Sequence, residues 1–338
     1  MAVNNELIKD DLYEAVNGGW LKTAKIPDDK PATGGFNDLV NEIDKQLMDD
    51  FDAYATGKEK SDDSRFNEMI KLYRLAKKFD WRKKVGPQPL KRMLASVENL
   101  NSYEDYQSQW KNWILAGMPS PISFDIDADM KNATVYALFA SSPSLILPDK
   151  SYYEAEKKAQ HDQLLQLWSS MVEALMDKLG YSKEEAKKII DDAIKFDALL
   201  APNVKSAEEA ADYSKMYNPQ TVAELASATD QLDIAAIIKQ LVGEEPEKVI
   251  VTEPEYFKAL NKILQDNFEL FKNWALIRVI RENASYLDDE MREINGRYGR
   301  ALSGSKKPVS QRKFAFYLAR DMFSQVAGDY YGKKYFGP

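Results

Sequence analysis

Apolar residues recur at the spacing of a helix face through most of this 338-residue chain. Leu39, Ile43, Leu47 and Phe51 follow one another at intervals of four, and Gly57 stands where such a helix would end. Residues three or four apart share one face of an α-helix. Similar stripes predict further helices near residues 66–73, 90–97, 102–117, 153–179, 267–302 and 310–336. The sequence therefore predicts a mainly α fold, a lobe of many helices.

One stretch interrupts the helical pattern. Pro119 and Pro121 cannot continue a helix, because proline lacks a backbone N–H and clashes with the preceding turn. The residues that follow alternate between apolar and polar types, and a β-branched and aromatic run comes after a short polar turn. This pattern predicts a small β-hairpin at about 122–140, with strands at 122–128 and 133–140. A further short strand is predicted at 249–251.

Three helix starts have a recognisable local signature. A serine or threonine followed three residues later by glutamate can form a capping box, in which both side chains bond free backbone N–H groups. The pattern predicts helix starts at Ser182 with Glu185, Ser206 with Glu209, and Thr221 with Glu224.

The charge balance excludes some classes of partner. The chain has 46 Lys and Arg against 54 Asp and Glu, a formal net charge of −8. Nucleic-acid binding depends on a concentrated basic face, and the basic residues here are scattered among acidic ones, so no nucleic-acid partner is expected.

No apolar run approaches the ~18 residues of a membrane span, so no membrane partner is expected. The polar first residues and the lack of cysteine favour a cytoplasmic protein.

The donor inventory argues against a metal site of the nitrogen- or sulfur-rich kind. Catalytic zinc typically takes three protein ligands drawn from His, Glu, Asp and Cys. This chain has one histidine, His161, and no cysteine. His161 lies on a predicted helix with no ligand spacing around it, and is interpreted as a solvated helical residue. The sequence therefore predicts no catalytic residue, no metal-binding residue and no cofactor in this chain.

Two other patterns could suggest a ligand. Asp125, Asp127 and Asp129 open like an EF-hand loop, but the positions that need glycine and glutamate hold Met130 and Tyr136. Alternation also fits carboxylates on the solvated face of a strand, which is the preferred interpretation. The glycine pairs at 18–19 and 34–35 match no phosphate-binding pattern and are predicted to be turns with positive φ.

Several segments together resemble one family. The first contains Asn17-Gly18-Gly19-Trp20, Ile26-Pro27 and Gly34-Gly35-Phe36, and the later ones are LILPDKSYY from Leu145, VIVTEPEYF from Val249, and the stretch from Trp274 through Leu302-Ser303-Gly304 to Tyr330. In this order they resemble the neprilysin family of zinc metallo-endopeptidases, which includes the endothelin-converting enzymes and the bacterial oligopeptidase O. The resemblance covers most of the chain.

The resemblance implies that two domains of a full-length member have different roles. Members of the family enclose a cavity between a zinc domain, which carries H-E-x-x-H and a later glutamate, and a mostly helical domain that limits entry to short peptides. Residues 1–338 resemble the helical N-terminal domain, with possible sub-lobes at about 1–150 and 151–338. The catalytic zinc domain is absent from this chain. Zinc is then expected only in a full-length parent, and the implied partners are the missing C-terminal domain and short peptides.

The resemblance also points to a candidate cavity wall. Mammalian members carry charged residues just after the Ile-Pro segment, and the matching positions here are Ala32, Asn37 and Val40, all uncharged. The wall is expected to come from the loop around Phe36 and Asn37 and from the edge of the hairpin. Phe36, Asn37 and Val40 are therefore the candidate cavity-lining residues.

Two functions from different classes remain. The first is the enclosing, size-selecting domain of a zinc endopeptidase for short peptides, catalytically silent by itself. The alternative is a stand-alone helical binding or scaffold protein without a peptidase partner. The first predicts that the chain exposes apolar surface which a partner domain would cover.

Overall fold

A computed structural model describes residues 3–229 and 232–337. The predicted mainly α class is confirmed, because most of these residues are helical. The described residues form eighteen α-helices: α1 (Leu12–Leu21), α2 (Gly35–Thr56), α3 (Ser64–Ala76), α4 (Phe79–Val85), α5 (Lys91–Glu98), α6 (Tyr103–Leu115), α7 (Lys158–Leu179), α8 (Lys183–Leu200), α9 (Ala207–Ala211), α10 (Tyr213–Met216), α11 (Val222–Ala228), α12 (Ile234–Val242), α13 (Pro254–Asp266), α14 (Phe268–Leu287), α15 (Asp289–Asn295), α16 (Arg297–Ser303), α17 (Gln311–Met322) and α18 (Ser324–Phe336).

The small β element is a four-stranded sheet. Its strands are β1 (Ser123–Asp129), β2 (Asn132–Ser141), β3 (Pro219–Gln220) and β4 (Val249–Val251), in the order β1-β2-β4-β3. The first two form the predicted antiparallel hairpin. The predicted strand β4 pairs in parallel with β2, and β3 pairs antiparallel with its other edge. All three residues of β4 are buried, as expected for a strand paired on both sides.

The chain divides into two compact units. Unit 1 combines the two ends of the described chain, residues 3–84 and 296–337, and unit 2 covers the stretch from 85 to 295. Residue 150, where the sequence suggested a border between sub-lobes, lies inside unit 2. The division differs from a simple halving of the chain because the last helices of the sequence pack against helices near its beginning.

Unit 1 has a core of aromatic side chains around Phe51. The Phe51 ring on α2 lies edge-on to Tyr73 on α3 and Phe316 on α17, with centroids 5.5 and 5.2 Å apart. Beside it, the Asp52 carboxylate accepts hydrogen bonds from the Tyr73 hydroxyl at 2.8 Å and Arg312 Nε at 2.8 Å. The apolar stripe of α2 and an ionic contact next to it therefore join the two ends of the chain.

Unit 2 is built around α14. This helix packs on α5, α7, α8, α13 and α15. Five consecutive residues, 273–277, are all buried, which requires neighbours around most of the circumference. Despite such apolar helices, none in the described stretches 3–229 and 232–337 has both the length and the apolarity to cross a bilayer.

The long helical segment predicted at 267–302 is divided into three helices. Helix α14 ends because Asp288 is extended, with φ −134° and ψ 175°, and its carboxylate accepts a hydrogen bond from Met291 N at 2.8 Å, which starts α15. The predicted helix 310–336 is likewise broken at Phe323, where φ is −123° and ψ is 41°. The predicted helix from 153 begins as α-helix only at Lys158. Continuous helical periodicity did not reveal these breaks.

The two glycine pairs are not the turns that the sequence predicted. Gly18 and Gly19 lie inside α1, and Gly34 is extended with φ 165°, so neither pair requires a left-handed conformation. Short helices tolerate glycine when neighbouring structure fixes them. The expected helix stop at Gly57 is confirmed, since it ends α2 with φ 80°.

All three predicted capping boxes are present and permit a stability test. Ser182→Ala removes the hydroxyl that accepts the Glu185 N–H, so we expect the free energy of unfolding to fall by about 1 kcal/mol. Ser170→Ala is the matched control, because Ser170 lies within α7 and its hydroxyl bonds only the Gln166 carbonyl there. It should be neutral or slightly stabilising. Urea unfolding measures both, and equal effects would contradict the capping role.

Candidate functional site

The candidate lining residues lie on the first two turns of α2. Phe36 is 89% exposed, Val40 is 49% exposed, and Asn37 is also exposed. Phe36 and Val40 are four residues apart and share a face with Leu39, whereas Asn37 lies about 100° around the helix from Phe36. The structure therefore brings two of the three residues together in one apolar strip and places the third beside it.

The exposed strip continues directly into the core of unit 1. Further along the same face, Ile43 is half-buried, and Leu47 and Phe51 are fully buried against α3 and α17. The apolar stripe of α2 is thus longer than the surface that covers it. Its last turns are packed as a core, and its first turns, with Phe36 and Val40, extend into solvent.

Helix α1 exposes a second apolar set. It buries only Ala15 and Gly18, and four of its larger apolar side chains are exposed: Leu12, Tyr13, Val16 and Leu21. Segment 3–40 holds ten of the 26 large apolar side chains that are exposed among the described residues: Val3, Ile8, Leu12, Tyr13, Val16, Leu21, Ile26, Phe36, Leu39 and Val40. Such a concentration is typical of surface that another protein element covers. We call these ten side chains the N-terminal apolar set.

The loop between α1 and α2 is fixed to the rest of unit 1 by backbone hydrogen bonds and by charged side chains. The Asp28 carbonyl accepts two backbone N–H groups, from residues 306 and 307, each at 2.8 Å. Lys313 Nζ lies 2.8 Å from the Asp29 carboxylate. Lys30 Nζ donates to the Tyr317 hydroxyl at 3.3 Å, and burial, followed by repulsion from Lys313, lowers the pKa of Lys30. These contacts hold the chain that leads into the exposed end of α2.

The three aspartates of the hairpin do not converge. Asp125 Oδ1 accepts the Ile126 N–H at 2.8 Å and Asp127 Oδ1 accepts the Ala128 N–H at 2.7 Å, both at the outer side of β1. An irregularity in the pairing follows Ala128, and Asp129 is buried. The first two therefore place charge along the free edge of the sheet, which discourages pairing with another strand.

Asp129 fastens the tip of the hairpin. It accepts the Lys131 N–H at 2.8 Å and lies 2.5 Å from Lys248 Nζ, and the Tyr217 hydroxyl donates to it at 3.2 Å. The bond from Lys248, and then that from the Lys131 N–H, hold the pKa of Asp129 at about 2. The Asp129 carboxylate is thus occupied by contacts with other residues of this chain.

The donor set does not fit a zinc ion. His161 lies on α7, with Nδ1 3.0 Å from Asp162 Oδ1 and its ring edge-on to Tyr153. No group of three His, Cys, Asp or Glu side chains within residues 3–229 and 232–337 has an arrangement that could hold a metal ion. No catalytic step can be derived through a metal held by these residues.

The segment 145–153, part of the family resemblance, is held by hydrogen bonds to the buried Asp197 and by Asp149 in unit 2. Asp197 on α8 accepts the Ile146 N–H at 3.1 Å and a hydrogen bond from the Tyr153 hydroxyl. Asp149 accepts the Ser151 N–H at 2.8 Å and the Ala207 N–H at 2.6 Å. Sequence periodicity gave no signal for Asp197, because an aspartate within a helix is usually solvated.

Comparisons with known proteins agree on one family. A family model described as Peptidase family M13 matches residues 8–338. The neutral endopeptidase of Lactococcus lactis subsp. lactis is 37% identical over 332 residues, covering 98% of this chain and 52% of that protein. The neutral endopeptidase of Lactobacillus helveticus is 35% identical over 331 residues, covering 97% and 51%.

A solved structure gives the same picture. The crystal structure of PepO from Lactobacillus rhamnosis HN001 superposes with a TM-score of 0.89 at 30% identity, covering 98% of this chain and 52% of that one. This chain therefore spans about half the length of the proteins that it matches.

One end of α2 is buried and the other is exposed, so alanine substitutions of its two phenylalanines should differ in their effect on stability. Phe51→Ala should lower the free energy of unfolding of unit 1 by about 3–5 kcal/mol, because it leaves a cavity in the core. Phe36→Ala should change the free energy of unfolding by less than about 0.5 kcal/mol, because the exposed Phe36 ring makes few packing contacts. Urea unfolding compares the two. A large loss for Phe36→Ala would show that the strip is packed within this chain.

The raised pKa of Asp197 predicts that the stability of the protein depends on pH. Burial raises the pKa of Asp197 to about 6, against the hydrogen bonds from Tyr153 and Ile146 and the charge of Arg278. Because this native pKa exceeds the unfolded value of 3.8, the stabilisation is complete below about pH 4 and is lost as pH rises through about 6. Between about pH 4 and about pH 6 and above, the free energy of unfolding of the native chain should fall by up to about 3 kcal/mol relative to that of Asp197→Asn. Parallel pH profiles of the unfolding free energy would contradict this assignment.

Proposed function

This chain belongs to peptidase family M13, and we propose that it is the domain that encloses the substrate cavity and selects short peptides in a zinc endopeptidase of that family. The neprilysin-like resemblance seen in the sequence is confirmed at the level of the family. The chain corresponds to the N-terminal domain. The size-selecting role and the catalytic silence of the chain by itself are the proposal.

The observation that carries the proposal is the uncovered half of the α2 stripe. A 22-residue helix whose apolar face is core at one end and solvated at the other needs a further partner. The matched relatives are about twice as long as this chain, so their remaining half supplies a candidate of suitable size. We infer that the N-terminal apolar set contacts that catalytic domain.

Zinc chemistry belongs to the partner in this proposal. A catalytic zinc activates water and polarises the scissile carbonyl, and it would be held by the catalytic domain because the donors among the described residues of this chain do not fit it. The present chain would bind and confine the peptide. Phe36, Asn37 and Val40 would line the cavity, offering apolar contacts and one amide and no formal charge. The proposed location is the cytoplasm, without a nucleic-acid or membrane partner.

A stand-alone scaffold remains the second candidate. It is favoured by one observation, that each unit has its own buried core. The two candidates differ in what the natural gene encodes beyond codon 338. A helix with H-E-x-x-H downstream supports the peptidase domain, and its absence supports the scaffold.

Reconstitution tests the peptidase proposal. We expect this chain alone to cleave a fluorogenic short peptide at background rate, and a mixture with the separately produced downstream domain to cleave it in a manner that a chelator abolishes. Reconstituted activity should be unaffected by Tyr213→Ala, an exposed aromatic control in unit 2, and reduced by Phe36→Asp, which places a charge in the apolar strip. Chelator-sensitive cleavage by this chain alone would refute the proposal.

The proposed size selection can be measured separately with the same reconstituted mixture. The cleavable sequence should be hydrolysed at least about tenfold faster as a short peptide than when it is embedded in a loop of a folded carrier protein, a difference of about 1.4 kcal/mol in activation free energy. Equal rates for the peptide and for an unfolded control carrier, but a lower rate for the folded one, would indicate accessibility of the loop rather than size selection.

A further inference from the structure

The β1–β2 hairpin of unit 2 is packed along only part of its length. Ala137, Leu138 and Ala140 in the inner part of β2 are buried, and this part pairs with β1 on one side and with β4 on the other. We call residues 126–136 the outer hairpin. Within it, Ile126 and every residue from 130 to 136 are exposed. Because a two-stranded ribbon is at best marginally stable in water by itself, the outer hairpin needs a further contact to hold it in one position.

The strand pairing is interrupted before the tip of the hairpin. Ala128 lies opposite Tyr136, and the next pair is Asp129 with Asn132, so residues 133–135 have no partner in β1. An irregularity of this kind bends a strand and interrupts the ladder of hydrogen bonds. The tip, residues 129–132, is therefore joined to the paired ribbon by an irregular segment, and strand pairing alone does not fix its position.

Asp129 links the tip to other segments of unit 2. It is the one buried residue of the tip, with 1% of its surface exposed. The backbone N–H groups of Lys131 and Asn132 donate to Asp129 Oδ1 at 2.8 and 3.2 Å and shape the turn itself. The other two partners are distant in sequence, since Lys248 Nζ lies 2.5 Å from Asp129 Oδ2 and the Tyr217 hydroxyl donates to Oδ1 at 3.2 Å.

The two distant partners of Asp129 also contact each other. Lys248 Nζ donates to the Tyr217 hydroxyl at 3.2 Å, and Lys131 Nζ on the tip lies 4.7 Å from the centre of the Tyr217 ring. Tyr217 and Lys248 lie just before β3 and β4, which pair with each other. We call Asp129, Tyr217 and Lys248 the hairpin latch. It ties the tip to the opposite end of the sheet through a charge-assisted hydrogen bond, which is stronger than a neutral one.

We propose that the hairpin latch positions the outer hairpin to contact a bound peptide. Ile126 and Tyr136 are 55% and 79% exposed, and they share one face of the ribbon because Tyr136 opposes Ala128, two residues from Ile126. These two side chains would contact apolar side chains of the peptide, and the latch residues would act through them. The inference rests on the proposed function and deepens it, because it assigns positioning residues to peptide binding.

Hydrogen exchange on the full chain tests the latch without any need for activity. In Lys248→Met, amides of the outer hairpin should exchange at least about tenfold faster than in the native chain, because the tip opens locally. Lys248→Arg keeps the positive charge and should retain the slower exchange. Amides of α14 should be unchanged in both variants, which shows that unit 2 is folded. Lys262→Met, at an exposed lysine on α13, is the matched control and should exchange as the native chain does. Unchanged exchange of the outer hairpin in Lys248→Met would overturn the latch.

The reconstituted mixture tests the role of the latch in peptide binding. Lys248→Met and Asp129→Asn should each raise the KM for a short peptide about threefold to tenfold and change kcat by less than about twofold, because the lost contact is one of binding. Lys248→Arg should restore the native KM. Asp266→Asn, at an exposed carboxylate on α13, is the control and should leave both constants unchanged.

The two experiments separate the latch from the proposed function. Faster exchange of the outer hairpin with an unchanged KM would show that the latch only stabilises the hairpin, and would overturn its positioning role. A native mixture without chelator-sensitive cleavage would refute the proposed function and with it the role in peptide binding, while the exchange experiment would still decide whether the latch holds the outer hairpin.

Discussion

Unit 2 depends on the burial of α14 around most of its circumference. Buried residues lie around most of the circumference of α14, and a helix of this kind is stable only when neighbouring elements cover those faces. Helices α5, α7, α8, α13 and α15 provide those faces. Polar residues of α14 next to this buried surface are paired. Asn273 donates to Asp192 at 2.9 Å, and Arg278 is bound to Glu282 and Ser144.

This constraint also determines where a cavity can arise. The indoles of Trp168 and Trp274 are buried beside α14, and they line a cavity of about 220 Å³ together with Arg278 and Arg281. Asp197 then fixes the segment that closes the cavity, through the Ile146 N–H and the Tyr153 hydroxyl. The cavity and the predicted pH dependence therefore both lie beside the buried face of α14.

Unit 1 shows a different use of apolar surface. Helix α2 provides both the core, through Leu47 and Phe51, and an uncovered strip, through Phe36 and Val40. The loop before it is tied down by Asp28, Asp29 and Lys30, so the strip is presented by a fixed element. Fixed, exposed apolar surface suits an interdomain contact or a cavity wall, and both roles are consistent with an N-terminal domain of peptidase family M13.

Local sequence determined what depends on neighbouring residues. The helical spacing, the three capping boxes, the stop at Gly57 and the hairpin follow from contacts within a few positions, and the structure confirms them. The family resemblance was also present in the sequence, in ordered segments. The candidate residues Phe36, Asn37 and Val40 were located by that resemblance, and their lining role stays a prediction.

Tertiary structure decided what depends on distant residues. The joining of both chain ends in unit 1, the parallel pairing of β2 with β4, the burial of Asp129 and Asp197, and the cavity beside Trp168 each require partners many residues away. The breaks at Asp288 and Phe323 were missed for another reason, because a helical stripe continues across them in sequence. Periodicity reports which face of an element is apolar, and only packing determines what that face contacts or whether it stays uncovered.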